Sequence, residues 1–458
     1  MKILYKTTAL AALLGFVSVG ARAESFLEAL SYAYEANPTL AAHRVYLKAV
    51  DETVTQAKTG YRPQVYVQGT VARGYQELES DKLFGLAGGK SKIHDTPSSV
   101  SAQVVQPIFS GFSTVSQVKT AQNNVLAERS NLIATEQSVL QAVAVAYVNI
   151  VQAEAVLVLQ KNNEHVLERH LQSTKDKFKF GEVTKTDVAQ SEARLAGAKS
   201  ARIKAQGDLQ IAKAQYQNIV GRAAGKLDNK INLNHLLPSS LQESIELALS
   251  SNPLIQQAKY QETAARYAVN TAKSDLMPSL NVTAEAGKQW NQLTGYDEVD
   301  FWQVGASLKV PLFQGGGDYA KIRAQKQLAN RSRIALEKVK IDVIEQATQS
   351  WEQWQTAKAE ILSIQSQIEA SKSALDGVQR EAEVGARTVL DVLDATQEYL
   401  DTQVSLVRAN SDELIAQVHL LSAVGKMTAQ NLSLDVETYN PNSYYDDVQG
   451  KWFGTGIE

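Results

Sequence analysis

Two carboxylates three positions apart, Asp391 and Asp394, follow a glycine at Gly385 and fall on one face of an expected helix beside a turn. Taken singly, such residues are usually solvated side chains. Repeated around a symmetry axis with these faces inward, they form a ring of negative charge that binds cations and rejects anions. No other chemistry-bearing group makes a comparable pattern. Gly88-Gly89-Lys90-Ser91 imitates the end of a phosphate loop, but Phe84 occupies the place of the required first glycine. A mobile hairpin loop is the expectation there. The six histidines are dispersed, and His165 and His170, five apart, face different directions. No nucleophile elbow, HExxH pair or paired acid site is present. The chain has no cysteine, which excludes disulfides, thiolate metal sites and a lipid-carrying N-terminal Cys. With a net charge of −3 and no basic block, it carries no footprint for nucleic acid. These residues predict no enzyme, no cofactor and no metal centre.

The elements that must position Asp391 and Asp394 come in duplicate. Lys2, Lys6, an apolar run over 9–19 and Ala21-Arg22-Ala23 predict an export leader over 1–23, with Glu24 first in the mature chain. No later stretch is expected to approach the ~18 apolar residues of a membrane helix. The N-terminal half then opens with Leu27-Glu28-Ala29-Leu30 and Asn37-Pro38, and the C-terminal half with Ile245-Glu246-Leu247-Ala248-Leu249 and Asn252-Pro253. Gln106-Pro107-Ile108-Phe109-Ser110-Gly111 is echoed by Val310-Pro311-Leu312-Phe313-Gln314-Gly315. Gly181 with Asp187 recurs as Gly385 with Asp391, and Gly221 as Gly425, at a constant offset of 204. The Asn-Pro pairs are 215 apart, so the first hairpin region is eleven residues longer than the second.

Each repeat predicts a hairpin and a helical rod. The first repeat, 24–237, has strands over about 64–76 and 98–109 and long helices over about 112–177 and 186–220. The second, 238–428, has strands over about 279–291 and 300–313 and helices over about 316–380 and 388–424, and a tail follows over 429–458. Leu280, Val282, Ala284 and Ala286 alternate with Asn281, Thr283, Glu285 and Gly287, and Val100, Ala102 and Val104 with Ser99, Ser101 and Gln103. Period-two alternation marks strands with two different surroundings. Aromatic ends at Trp290 and Trp302 suit a lipid-facing strand, and a soluble hairpin on a core is the alternative. Pro107 with Gly111, and Pro311 with Gly315, mark the turns from strand to helix. From 112 to 177 there is neither proline nor glycine, enough for a rod of about 100 Å. The short helix before the strands could stack end to end with the second, shorter rod and match the long one.

The shorter rods carry a seven-residue period. Val188, Leu195, Leu209 and Tyr216 share one position, Arg202 being the exception, with Ser191, Ala198, Ala205, Ala212 and Ile219 three residues beyond. Val392, Tyr399, Leu406 and Leu420 repeat this beside Ala395, Ala409, Ala416 and Ala423. Such seams drive coiled-coil packing, and the alanines allow the axes to approach closely. Four strands cannot close a pore, and an open sheet in lipid would leave its edges unsatisfied. Several chains must therefore share one barrel, although sequence physics does not by itself fix the number at three. A pore-less structural coiled coil of the envelope is the alternative from a different class.

The chain resembles the TolC family of outer-membrane export proteins. The resemblance rests on the paired Asn-Pro helices, the two Pro-x-Phe motifs, the two Gly-x5-Asp turns, and Val384-Gly385-Ala386-Arg387-Thr388-Val389-Leu390-Asp391-Val392-Leu393-Asp394-Ala395. It implies a homotrimer with a 12-stranded β-barrel in outer-membrane lipid, continued by an α-helical barrel and an equatorial belt. It implies a periplasmic adaptor protein and an inner-membrane RND or ABC transporter as partners. The implied function is a passive exit duct for efflux or type I secretion. Asp391 and Asp394 would line the periplasmic aperture, and Arg387, Thr186 and Asp187 would form the links that hold it shut. The family's tyrosine five residues before the arginine is Ala382 here, so Arg387 bonding toward Asp187 or Thr186 is expected to carry more of the closure. The segment from Tyr439-Asn440-Pro441 to Lys451-Trp452-Phe453-Gly454 resembles members that serve type I protein secretion.

Overall fold

A computed structural model describes residues 23–80, 89–293 and 296–457; the expected leader lies outside them apart from Ala23. In chain order the elements are α1 (Phe26–Ala36), α2 (Pro38–Lys58), β1 (Gln64–Val71), β2 (Gly74–Ser80), β3 (Gly89–Asp95), β4 (Ser98–Ser110), α3 (Ser113–Lys179) and α4 (Lys185–Val220). The second repeat supplies α5 (Leu241–Ser251), α6 (Pro253–Ser274), β5 (Ser279–Leu293), β6 (Tyr296–Lys309), α7 (Gly317–Glu383) and α8 (Val389–Ala423), and the tail adds α9 (Ser443–Val448). The long rods α3 and α7 have 67 residues each. At 1.5 Å per residue each is about 100 Å long. Every rod packs lengthwise on a shorter partner, α3 on α4 and α7 on α8.

The two Asn-Pro pairs are the joints that let short helices match long ones. Asn37 accepts from the backbone N–H of Thr39 and Leu40 and so caps α2, while Pro38 occupies a first-turn position where no N–H is required. The Asn37 amide also donates to the carbonyl of Ile219, 2.9 Å away, at the end of α4. Asn252 does the same, capping α6 and donating to the carbonyl of Ala423 at 3.0 Å, at the end of α8. A helix end leaves carbonyls without intrahelical partners, and here the next helix's cap satisfies one. The expected end-to-end stacking is the result: α4 then α2 flank α3, while α8 then α6 flank α7.

β1, β4, β5 and β6 form one antiparallel sheet in that order, so β1 and β6 are its edges. The register carries the alternation of each strand onto common faces. Val67, Ala102, Ala286 and Trp302 face one another across the four strands, as do Val65, Val104, Ala284 and Val304. On the opposite face Tyr66, Gln103, Glu285 and Gln303 make a polar row; Gln303 Nε2 donates to Glu285 at 3.0 Å, and Tyr66 hydrogen-bonds Gln103. Lys288 pairs with Glu298 and Asp300 beyond the apolar band.

Several boundaries differ from expectation. The first strand stops at Val71, and the hairpin resumes as a separate β2–β3 ribbon. Lys90 and Ser91, expected in a mobile loop, pair with Glu79 and Leu78 inside β3, and Gly88 lies outside the described residues. Pro107 lies within β4, where the register with β5 slips between Pro107 and Phe109, the bulge that a residue without an N–H requires. β6 ends at Lys309 rather than 313, before Pro311, for the same reason. Gly111 takes φ +60, and a Cβ there would lie 2.9 Å from the Ser274 carbonyl; Gly315 takes φ +64 at the equivalent turn. α3 also contains an 18-residue window apolar enough to cross a membrane, contrary to expectation. Its apolar residues have another use: Leu140, Val143, Ala144, Tyr147 and Ile150 are buried in the largest core cluster.

That core lies midway along the rod, where α1, α3, the end of α4 and the segment after α8 meet. Glu24 is built into it. Its carboxylate accepts from Tyr216 (2.7 Å) and Arg222 (2.6 Å), and its carbonyl from Tyr147 (2.8 Å). The tail straps α2: Thr55 donates to the Val448 carbonyl and Tyr444 to Glu52, both at 2.9 Å.

Candidate functional site at the hairpin tips

The two turns at the far end of the rods from the sheet are built alike. At the end of α3 the N–H of Glu182 donates to the Lys177 carbonyl and that of Gly181 to Phe178, both at 3.0 Å. At the end of α7, Ala386 donates to Glu381 at 2.8 Å and Gly385 to Ala382 at 3.2 Å. This pattern closes a helix with a left-handed residue, and Gly181 and Gly385 take φ +77 and +79. Three residues later the next helix starts on a threonine. Asp187 Oδ2 accepts from the Thr184 N–H and hydroxyl, both at 2.7 Å. Asp391 Oδ2 accepts from the Thr388 N–H at 2.9 Å and its hydroxyl at 2.8 Å. The threonines in turn accept from the backbone N–H of those aspartates, completing a capping box in each repeat.

The repeated Gly-x5-Asp spacing therefore has a local cause: it joins a left-handed glycine stop to an acidic capping box. Asp391 also lies where the helix N-terminus is positive, which favours its ionised form. Thr388 holds Asp391 below the usual carboxylate range through its N–H and hydroxyl, with a smaller effect from Arg387. Both bonds fall on one oxygen, and Oδ1 of Asp391 accepts none among the described residues. Asp394, one turn along and more exposed, is ion-paired to Arg194 of α4. That pair joins the first repeat to the second beside a small apolar cluster of Leu167, Ala198 and Leu393.

Arg387 projects into its own turn, where Nε donates to Glu381 at 2.8 Å. Among the described residues, no hydrogen bond or ion pair within the chain joins it to Thr186 or Asp187. The charged link between the coils of one chain is instead Arg194–Asp394. Thr184, Thr388, Glu381 and Arg194 were not singled out from sequence. The two threonines had a readable signal, Thr-x-x-Asp before a heptad run, whereas Arg194 had none. The tips also present apolar groups to solvent, with Phe180 82 % and Val384 81 % exposed.

Comparison with known proteins places this geometry. Residues 29–222 and 244–426 match the family model described as outer membrane efflux protein, one segment in each repeat. The chain is 33 % identical to the outer membrane efflux protein BepC of Brucella suis, over 95 % of this chain and 92 % of that one. It is 26 % identical to the outer membrane protein TolC of Escherichia coli, over 91 % of this chain and 85 % of that one. Its fold matches the crystal structure of the CmeC outer membrane channel of Campylobacter jejuni with a TM-score of 0.77 at 14 % identity, covering 98 % of this chain and 97 % of that one. With sheet, rods and tips arranged as described, the chain belongs to the outer membrane efflux protein family, the non-enzymatic channels of tripartite efflux and type I secretion that span the outer membrane and reach into the periplasm.

Proposed function

We propose that this efflux channel works as a homotrimer whose periplasmic aperture is lined by Asp391 and Asp394 and whose tips are its docking end. The observation that carries this reading is the sheet: an apolar band on one face, a polar row on the other and two unpaired edges in a single chain. Lipid tolerates such edges only when they are paired, and three copies in a ring close twelve strands with the polar row of Glu285 facing inward. The rods then continue the duct into the periplasm.

The duct is passive. An inner-membrane RND or ABC transporter supplies the energy, and a periplasmic adaptor protein transmits opening through the exposed Phe180 and Val384 turns. At rest Arg387 reaches the Thr186–Asp187 turn of the adjacent copy, exchanging its local Glu381 partner for a link between copies. The experiment is export from cells lacking the chain, complemented by wild type or by Arg387→Ala. Wild type restores efflux, and Arg387→Ala restores it while admitting large antibiotics. Unchanged efflux in cells lacking the chain would contradict the duct, and unchanged antibiotic exclusion by Arg387→Ala would contradict the link.

A further inference from the structure

We infer that the tail beyond α9 is a membrane anchor, seating Trp452, Phe453 and Ile457 in the phospholipid headgroup layer on the periplasmic side of the outer membrane. Its height on the molecule follows from the strap. Tyr444 donates to Glu52 and Thr55 to the Val448 carbonyl, both at 2.9 Å. Lys58 then donates to the Gln449 carbonyl at 3.0 Å, and Arg62 to the Lys451 carbonyl at 2.7 Å. Tail and α2 numbers rise together, so the tail climbs toward the sheet. β1 begins at Gln64, two residues after Arg62, or about 7 Å of extended chain. Arg62 also holds Trp452, its guanidinium 4.8 Å from the ring centroid. Resting on the export-duct reading, in which the apolar sheet face meets lipid, Trp452 stands where the strands leave the bilayer.

The tail runs up the outside of the duct. Tyr445 packs on the cluster of Val54, Ala121 and Val125, and its ring lies 5.1 Å from the Arg129 guanidinium. On α3 these positions continue at helical spacing into Leu132, Val139, Val143 and Tyr147 of the largest core cluster. Tail and core therefore share one side of the rods. The opposite side of α2, at Tyr46, Val50 and Thr53, lines a groove shared with α3, α6 and α7. Three cores of this size inside a ring would plug it, so core and tail lie outside.

What the tail presents there fits a headgroup layer. Phe453 is 89 % and Ile457 84 % exposed, and Trp452 more than half. Large apolar groups gathered in the open mark a contact surface. Phe112, also exposed, meets Phe109 edge to face at 5.2 Å and brings the sheet's own aromatic groups to the same level. Trp and Phe at such a boundary keep their rings among the upper acyl chains. Lys58, Arg62 and Lys451 add cations beside them, the charge that phosphate headgroups attract. The tail thereby ties the core midway along the rods to the leaflet above it.

The test is a nitroxide on a single introduced cysteine, which a chain without native thiols allows. Full-length trimers carrying Phe453→Cys, Ile457→Cys, Val304→Cys or Phe180→Cys are placed in vesicles of phosphatidylethanolamine and phosphatidylglycerol. Collisions with oxygen, which concentrates in lipid, are compared with collisions with a nickel chelate, which stays in water. The Val304 label, on the apolar sheet face, should favour oxygen, and the Phe180 label, at the tips, nickel. Phe453 and Ile457 labels should favour oxygen as well. With the remaining apolar side chains holding the tail in place, their nickel collisions should fall about tenfold below those at Phe180. Adding Trp452→Ser/Phe453→Ser to Ile457→Cys should return that label to water. Phe453 and Ile457 labels as open to nickel as Phe180 would overturn the anchor. Labels shielded from both reagents would overturn it in favour of contact with a neighbouring copy. A Val304 label open to nickel would instead overturn the placement of the sheet in lipid.

Discussion

Thr388 and Asp391 bind each other across the first turn of α8, so a charge suited to an aperture also holds a helix end. Thr388→Ala removes the cap. It should cost about 0.5–2 kcal/mol and speed amide hydrogen exchange over 389–392, while Thr186→Ala, which breaks no capping bond, should not. Farther up the rod Asp51 is 1 % exposed, and neither of its oxygens accepts a hydrogen bond among the described residues. Burial raises its pKa to about 6 against the partial compensation of Arg129. Because the folded value lies above the unfolded one, this residue favours folding least above pH ~6, and the loss accrues as pH rises from ~4 to ~6. Asp51→Asn should therefore stabilise the trimer by about 1–3 kcal/mol at neutral pH, and the gain should vanish near pH 4 in thermal dissociation. At this scale the sequence was only partly legible. Asp391 and Asp394 stood out by spacing, but the partner of Asp394 lies 200 residues away, and their meeting depends on how two coils are rotated against each other.

Rods and strands were far more legible, because periodicity is a local property and each element is long. The alanine seam predicted for α4 is buried at Ala198, Ala205 and Ala212, together with Leu209 and Tyr216. Arg202, the break in that heptad, pairs with Glu164 of α3 rather than entering the seam. Ala205→Leu should overpack this contact and cost about 1–3 kcal/mol, read as a lower dissociation temperature; an unchanged value would place the seam elsewhere. What periodicity could not reveal was why the Asn-Pro pairs recur. Their asparagines bond Ile219 and Ala423, carbonyls more than 150 residues distant, so the signal is a tertiary joint written in local residues. Strand ends were misread at Pro311, where a residue without an N–H stops the ladder, and after Val71, where the chain leaves the sheet for the separate β2–β3 ribbon. The apolar stretch of α3 was passed over because Asn149, Gln152 and Glu154 interrupt the run that starts at Ala142, although the average over 18 residues stays high.

For the whole molecule, the unpaired edges of β1 and β6 make the single chain incomplete, and the apolar sheet face needs lipid as the rods need their neighbours. That requirement was readable from four strands and two alternating faces, whereas the number three came from resemblance. A pore-less coiled coil of the envelope would share the rods and the seams but not an ion path. Ion conductance of the purified trimer in a planar bilayer, wild type against Asp391→Ala/Asp394→Ala, separates the two. A duct closed at its acidic tips gives small, cation-selective steps that lose selectivity in the double variant. A correctly inserted trimer that passes no ions would contradict the duct, and one whose selectivity ignores both substitutions would contradict the placement of its aperture.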